Sequence, residues 1–167
     1  MRMLSSQVTS DSSETPLKKK SQQPSLLARA IRFLSNREHS REELIRKLKP
    51  YAESIEEIEE VLKKLQAKDL QSDARFAENL VRRRAERYGQ LRIIQELKQN
   101  KIDSATSQEL IEQLKATEFD RAKELWERKF GTPASEPKEL ARQARYLASK
   151  GFSSEVVSKI VRGKTLV

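Results

Sequence analysis

Slid against itself by 49 and then by 50 residues, this chain lays apolar side chains on apolar side chains again and again. Leu27 falls on Phe76 and Trp126, Ile31 on Leu80 and Phe130, Ile45 on Ile94 and Ala144, and Leu48 on Leu97 and Leu147. Val61 meets Leu110 and Ile160, and Leu62 meets Ile111 and Val161. Chance at this composition gives about two all-apolar columns, so these six identify an internal repeat. A unit that short buries little surface alone, and the chain must build its fold by setting similar small units in series.

The spacing inside each unit is helical. Leu27, Ala30, Ile31 and Leu34 form an i, i+3, i+4, i+7 stripe. Ser40 heads the sequence SREE to Glu43 and Ser54 heads SIEE to Glu57, two capping boxes in which hydroxyl and carboxylate satisfy each other's free amides. Leu44, Ile45 and Leu48 follow the first box, Pro50 marks that helix's end, and Ile58, Val61, Leu62 and Leu65 follow the second. Ala, Glu, Lys, Leu and Arg fill about half of the 167 residues against only 4 Gly and 5 Pro, which favours helix throughout. The expectation is an all-α protein, an elongated tandem array of three three-helix, helix-turn-helix-like units over residues 25–71, 72–116 and 117–163. Each helix should run roughly 10 to 15 residues. Gly89, Gly131 and Gly151 fall at joints between helices, where a positive φ costs least on glycine. Residues 1–24, rich in Ser, Thr, Gln and Lys, are expected to be a disordered basic tail, and 164–167 a short C-terminal end.

Composition excludes several classes. Zero cysteines rule out disulfides and thiolate metal sites and suit a reducing cytoplasm. One histidine, His39, builds no metal site alone, and no nucleophile pattern accompanies it. No Gly-rich phosphate loop is present. No apolar run approaches the roughly 18 residues of a membrane span, and the N-terminus lacks an apolar signal core. The chain is therefore expected to be a cytoplasmic non-enzyme with no cofactor, no metal and no membrane partner. The acidic run at Glu56 to Lys64 reads as a solvated helix face, with Glu59 and Lys63, and Glu60 and Lys64, spaced for ion pairs. Trp126 and Phe130 sit in apolar columns and read as core.

What charge leaves open is binding. Lys and Arg number 34 against 25 Asp and Glu, a net +9, and the balance grows more basic from the first unit to the third. The stretch RFAENLVRRRAERYGQLRIIQEL, Arg75 to Leu97, shows how the cations are placed. Phe76, Ala77, Leu80 and Val81 take one side of its helix and Arg82 and Arg83 lie outside that side. Arg84 projects from the middle of the apolar side and needs a carboxylate, for which Glu96 is the candidate. Arg82, Arg83, Arg87 and Arg92 in the second unit, with Arg142 and Arg145 in the third, are the candidate contacts to a negative partner.

These residues resemble the RecX family of bacterial recombination regulators. The likeness runs from Ser25 to Arg162 and rests on REHSREELIRKL at Arg37 to Leu48, on the Arg75 to Leu97 stretch, and on AKELWERKFG with PKELARQARYLASKGF between Ala122 and Phe152. Gln90 stands where proline is common in the family. The resemblance implies a monomer that binds the RecA recombinase filament on single-stranded DNA and curbs strand exchange and coprotease activity. Arg37, Glu38, Ser40, Leu44 and Leu48 then belong to a family motif with a mainly structural part, as do Gly89, Leu97 and Gly151. Without the resemblance, a stand-alone helix-turn-helix-like DNA-binding protein fits the same charge and helices.

Overall fold

The computed structural model describes residues 23–163; Lys18–Lys20 and the rest of the expected tail to residue 22, and residues 164–167, lie outside it. The described chain forms eight α-helices: α1 Leu26–Asn36, α2 Arg41–Leu48, α3 Ile55–Ala67, α4 Asp73–Ala85, α5 Gln90–Gln99, α6 Ser104–Lys129, α7 Pro137–Ser149 and α8 Ser154–Val161. A 3-10 turn, Lys49–Tyr51, holds Pro50 between α2 and α3. No strand occurs among the described residues. Five helices start on a side-chain cap: Ser25, Ser40, Ser54, Ser72 and Asp103 each accept the backbone N–H three residues on.

The helices close three small cores. Leu26, Ala30, Leu44, Leu48, Ile58, Val61, Leu62 and Leu65 form the first, Phe76, Ala77, Leu80, Ile93, Leu97, Ile102 and Leu114 the second. Ala122, Trp126, Leu147, Phe152, Val157, Ile160 and Val161 form the third. Trp126 is buried and donates its indole N–H to Gln143 at 2.9 Å, which makes it core. The repeat is thus visible as three apolar centres in chain order.

Several local expectations need correction. In α1 Leu26 joins Ala30 as buried, Leu27 and Leu34 pack partly buried against the first core, and Ile31 alone of the expected stripe is exposed, at 44%. Leu26 and Ala30, four apart, take the core-facing line of α1, and Ile31 lies about 100° around the helix from Ala30. Both capping boxes are half made: the serines cap, but Glu43 is drawn to Arg37 at 2.9 and 3.2 Å, and Glu57 overshoots to the Glu53 amide at 2.9 Å. Glu59 pairs with Arg41 of α2, not with Lys63: the packing of α3 on α2 brings one guanidinium nitrogen onto one oxygen of the carboxylate.

The largest correction concerns helix length. Residues 116 and 117, expected to part the second and third units, lie inside the 26-residue α6. Nothing in QLKATEF stops a helix, so the last helix of the second core and the first of the third are one rod. At the middle of that rod sits Glu118, 1% exposed. Its carboxylate accepts the backbone N–H of Gln90 and of Ser153, each at 3.1 Å, and also the Gln90 amide at 2.6 Å and the Ser153 hydroxyl at 2.9 Å. One buried charge therefore faces the positive N-terminal ends of both α5 and α8. Gln90 supplies two donors that a proline lacks.

The same joint explains a glycine differently from its expected role. Gly89 has φ −78°, ordinary for any residue. It is required because a Cβ there would stand 2.3 Å from the backbone of Gly151 and Phe152. Gly151 does carry a positive φ of 89°, and its own Cβ would meet Arg92 at 2.5 Å. The two backbones touch and bond, Gly89 N–H to Lys150 O at 2.9 Å and Leu91 N–H to Gly151 O at 3.0 Å. Arg121 completes the joint by donating to the carbonyls of Ala85 and Tyr88, both at 2.8 Å.

The junction between the first and second cores is built from polar side chains. Arg75 pairs with Glu38 at 2.8 Å, Lys101 with Glu42 at 3.1 Å, and Asp73 accepts the Arg41 amide at 2.8 Å. Asn100 bonds Ser40 at 3.0 Å and Arg46 at 3.1 Å. His39 lies beside this junction, 2% exposed, with Nδ1–H donated to the Arg37 carbonyl at 2.9 Å and Nε2 buried without a partner. Burial holds its pKa below the ordinary 6.5, against the upward pull of that carbonyl.

Two outcomes follow for stability. Glu118→Ala strands two helix-end amides and should cost about 3 kcal/mol, read as a lowered denaturant midpoint. For His39, the unfolded chain binds more protons than the folded one below about pH 6.5, so stability is full above that pH and falls beneath it. A pH series of thermal melts should show that fall, and His39→Asn should flatten it down to the carboxylate range.

Candidate polyanion-binding seam

Where α4 hands over to α5, beside the end of α7, cations gather on aromatic rings. The Tyr88 ring has the Arg92 guanidinium at 4.1 Å, that of Arg84 at 5.6 Å and the Lys150 ammonium at 5.7 Å. Lys150 also lies 5.6 Å from the Tyr146 ring, and Lys129 stands 5.7 Å from it. Phe130 meets Tyr146 edge-on at 5.4 Å and carries Arg142 at the same distance. The result is a belt running from Arg84 through Arg92, Lys150 and Lys129 to Arg142. The negative faces of the rings hold cations that would otherwise repel one another, each contact contributing roughly 0.5–1 kcal/mol.

The joint described above fixes this belt, because Arg92 and Lys150 flank the touching Gly89 and Gly151 backbones. Charge is left over in it. Glu96 takes Arg84 at 3.0 Å and lies 4.0 Å from Arg92, so one carboxylate faces two guanidinium groups. Lys129 and Lys150 make no ion pair among the described residues. Beside the belt, α5 and the end of α7 wall an open cleft of about 690 Å³ whose lining includes Arg84, Leu91, Arg92, Gln95, Glu96 and Gln99.

Of the residues expected from the sequence, Arg92 and Arg84 lie in the belt and Arg142 ends it. Arg84 pairs with Glu96, but its side chain is 42% exposed, so it sits at the rim of the apolar side rather than its middle. Arg82 and Arg83 are exposed and turned onto their own helix, Arg82 to the Asn79 carboxamide and Arg83 to the Asn79 carbonyl at 3.3 Å. Arg82 stands about 160° around α4 from Arg84, away from the belt. Arg87 and Arg145 are exposed, with no ion pair among the described residues. Arg142 is held by Glu139 at 2.7 Å, and that bond keeps the Glu139 carboxyl below its usual range.

The remaining motif residues hold the fold. Arg37 grips Glu43, Glu38 grips Arg75, and Ser40 caps α2. Leu44, Leu48 and Leu97 are buried. Sequence reasoning passed over Tyr88, Tyr146 and Glu118. Tyr146 had a signal, since Arg142, Tyr146 and Lys150 step by four along α7 and its C-cap; Tyr88 had none, because it lies in the turn between α4 and α5. Among the described residues no cluster of His, Cys, Asp or Glu is placed to hold a metal ion, and no helix is long and apolar enough to cross a membrane.

Comparison with known proteins places this geometry. Three family models, described as the first, second and third three-helix domains of RecX, match residues 27–65, 72–111 and 116–161 in order. The chain belongs to the RecX family. It is 49% identical to the regulatory protein RecX of Ralstonia nicotianae over 139 residues, covering 83% of this chain and 87% of that one. With the regulatory protein RecX of Herminiimonas arsenicoxydans it shares 47% identity over 142 residues, 85% and 94% of the two chains. A crystal structure of regulatory protein RecX superposes with TM-score 0.67 at 27% identity, covering 81% of this chain and 70% of that one. RecX from Lactobacillus salivarius, at 22% identity and TM-score 0.67 over 83% and 93%, shares the fold. Three three-helix units and a regulatory family are therefore established for this protein.

If the belt carries the positive charge available to a RecX partner, Arg92→Ala and Lys150→Ala should each lower the salt concentration at which the chain leaves a heparin column. Arg82→Ala should elute close to the parent.

Proposed function

We propose that this chain regulates the RecA recombinase by binding its filament on single-stranded DNA, limiting strand exchange and coprotease activity. The observation that carries this reading is the belt of incompletely neutralised cations laid across a rigid joint between two repeat units. A filament repeats its negative groups at fixed spacing, and a stiff body with cations on consecutive units can engage neighbouring subunits at once. Linked weak contacts then act at high effective concentration. Arg92, Lys150, Lys129 and Arg142 form the central contacts, with Arg82, Arg83, Arg87 and Arg145 at the periphery. The protein works by binding, in the cytoplasm, as a free monomer without cofactor. Docking shifts the filament toward disassembly by favouring the protomer arrangement that makes more contacts with it.

The test is co-sedimentation with single-stranded DNA, bare and recombinase-coated, at several salt concentrations, with recombinase ATP hydrolysis followed in parallel. Tighter binding to the coated form and a progressive fall in hydrolysis are expected. Equal affinity for both forms with unchanged hydrolysis leaves a stand-alone DNA-binding protein instead. The double variant Arg92→Glu, Lys150→Glu should lose filament binding at least about tenfold while keeping its helical circular dichroism.

A further inference from the structure

Leu91 is the second residue of α5 and 56% exposed, the most exposed large apolar side chain among the described residues. It is not on a loose element. Its N–H is bonded to Gly151 O at 3.0 Å, in the joint where the Gly89 and Gly151 backbones touch. It stands on the wall of the 690 Å³ cleft, next to Arg92 and with Arg84, Gln95, Gln99 and the Glu96 carboxylate, shared by the two arginines, around it. A leucine whose backbone is fixed in the joint, and whose side chain lies in water amid cations, amides and one shared carboxylate, belongs to none of the three cores.

We propose that this cleft takes an acidic protein segment carrying an apolar side chain: the carboxylates meet Arg84 and Arg92, the apolar group covers Leu91, and the amides of Gln95 and Gln99 bond the segment's backbone. This rests on the filament-binding reading and names which component of the filament fills the cleft. Charge complementarity gives the first half, since Glu96 balances only part of the two guanidinium charges. Leu91 gives the second. A nucleic-acid backbone gains nothing from an aliphatic side chain, and base stacking needs an open ring, whereas Tyr88 is already crowded by three cations. A protein segment uses both features, and its apolar contact anchors what the charges steer.

The experiment places a diazirine amino acid at position 91 of the full chain, irradiates it on the recombinase–DNA filament, and identifies the adducts by mass spectrometry. Adducts to an acid-rich recombinase segment are expected. Adducts to DNA, adducts to a second copy of this chain, or no adduct from a chain that sediments with the filament overturn this proposal and leave the filament reading standing. A chain that does not sediment with the filament overturns both. In parallel, Leu91→Ser should weaken filament binding about tenfold without changing its salt slope, and Leu91→Met should restore it. Unchanged binding in Leu91→Ser overturns the proposal.

Discussion

The structure turns on one buried carboxylate. Glu118 lies at the midpoint of a helix that belongs to two units, and it takes the first amides of α5 from one side and of α8 from the other. A lone ionised carboxylate in such a place would be far too costly. Four donors and two helix ends make it tolerable, and in satisfying it the chain brings α5 and α8 to one point. Gly89 and Gly151 then allow the backbones to close to contact, and Arg121 covers the carbonyls left at the end of α4. The second and third units are locked by groups that tolerate little displacement.

The first unit is attached by another kind of chemistry. Arg75 with Glu38, Lys101 with Glu42, and Asn100 with Ser40 and Arg46 are contacts between side chains, many of them half exposed. Such pairs contribute little individually and weaken with salt. Among the described residues no hydrogen bond or ion pair joins the first unit to the third. The array thus has one joint closed by touching backbones around a buried carboxylate and one closed mainly by side-chain pairs, and the cationic belt lies across the first. A belt that must hold its charges at fixed spacing belongs there, because rigidity removes the entropy cost of arranging them on binding.

The six repeat columns announced three small cores, and Leu48, Leu97 and Leu147, aligned by sequence alone, are all buried. Serine caps were legible because an N-cap is a local bond between a residue and the amide three positions on. Readings that needed a distant partner fared worse. Glu43 left its box for Arg37, Glu59 left Lys63 for Arg41, and Ile31 turned outward where its column partners Leu80 and Phe130 do not. Arg84 and Glu96 were legible as a pair because a costly charge on an apolar side calls for an opposite one within reach. The belt itself was half written: Arg92 and Arg142 stood out as charges, while the tyrosines that gather them did not.

By itself the sequence determined the helical class, the number of units, the starts of the first three helices and the excess of positive charge. All of these depend on residues near in sequence or on sums over the chain. Only the tertiary structure decided that α6 is one rod, that Gly89 is needed for space rather than for its φ, and that Glu118 serves two helices. It also decided that Lys150 and Arg92, far apart in the chain, share one ring. The reason is that a close approach between backbones, and the burial of a charge, are properties of two surfaces brought together, and neither surface alone records the fit.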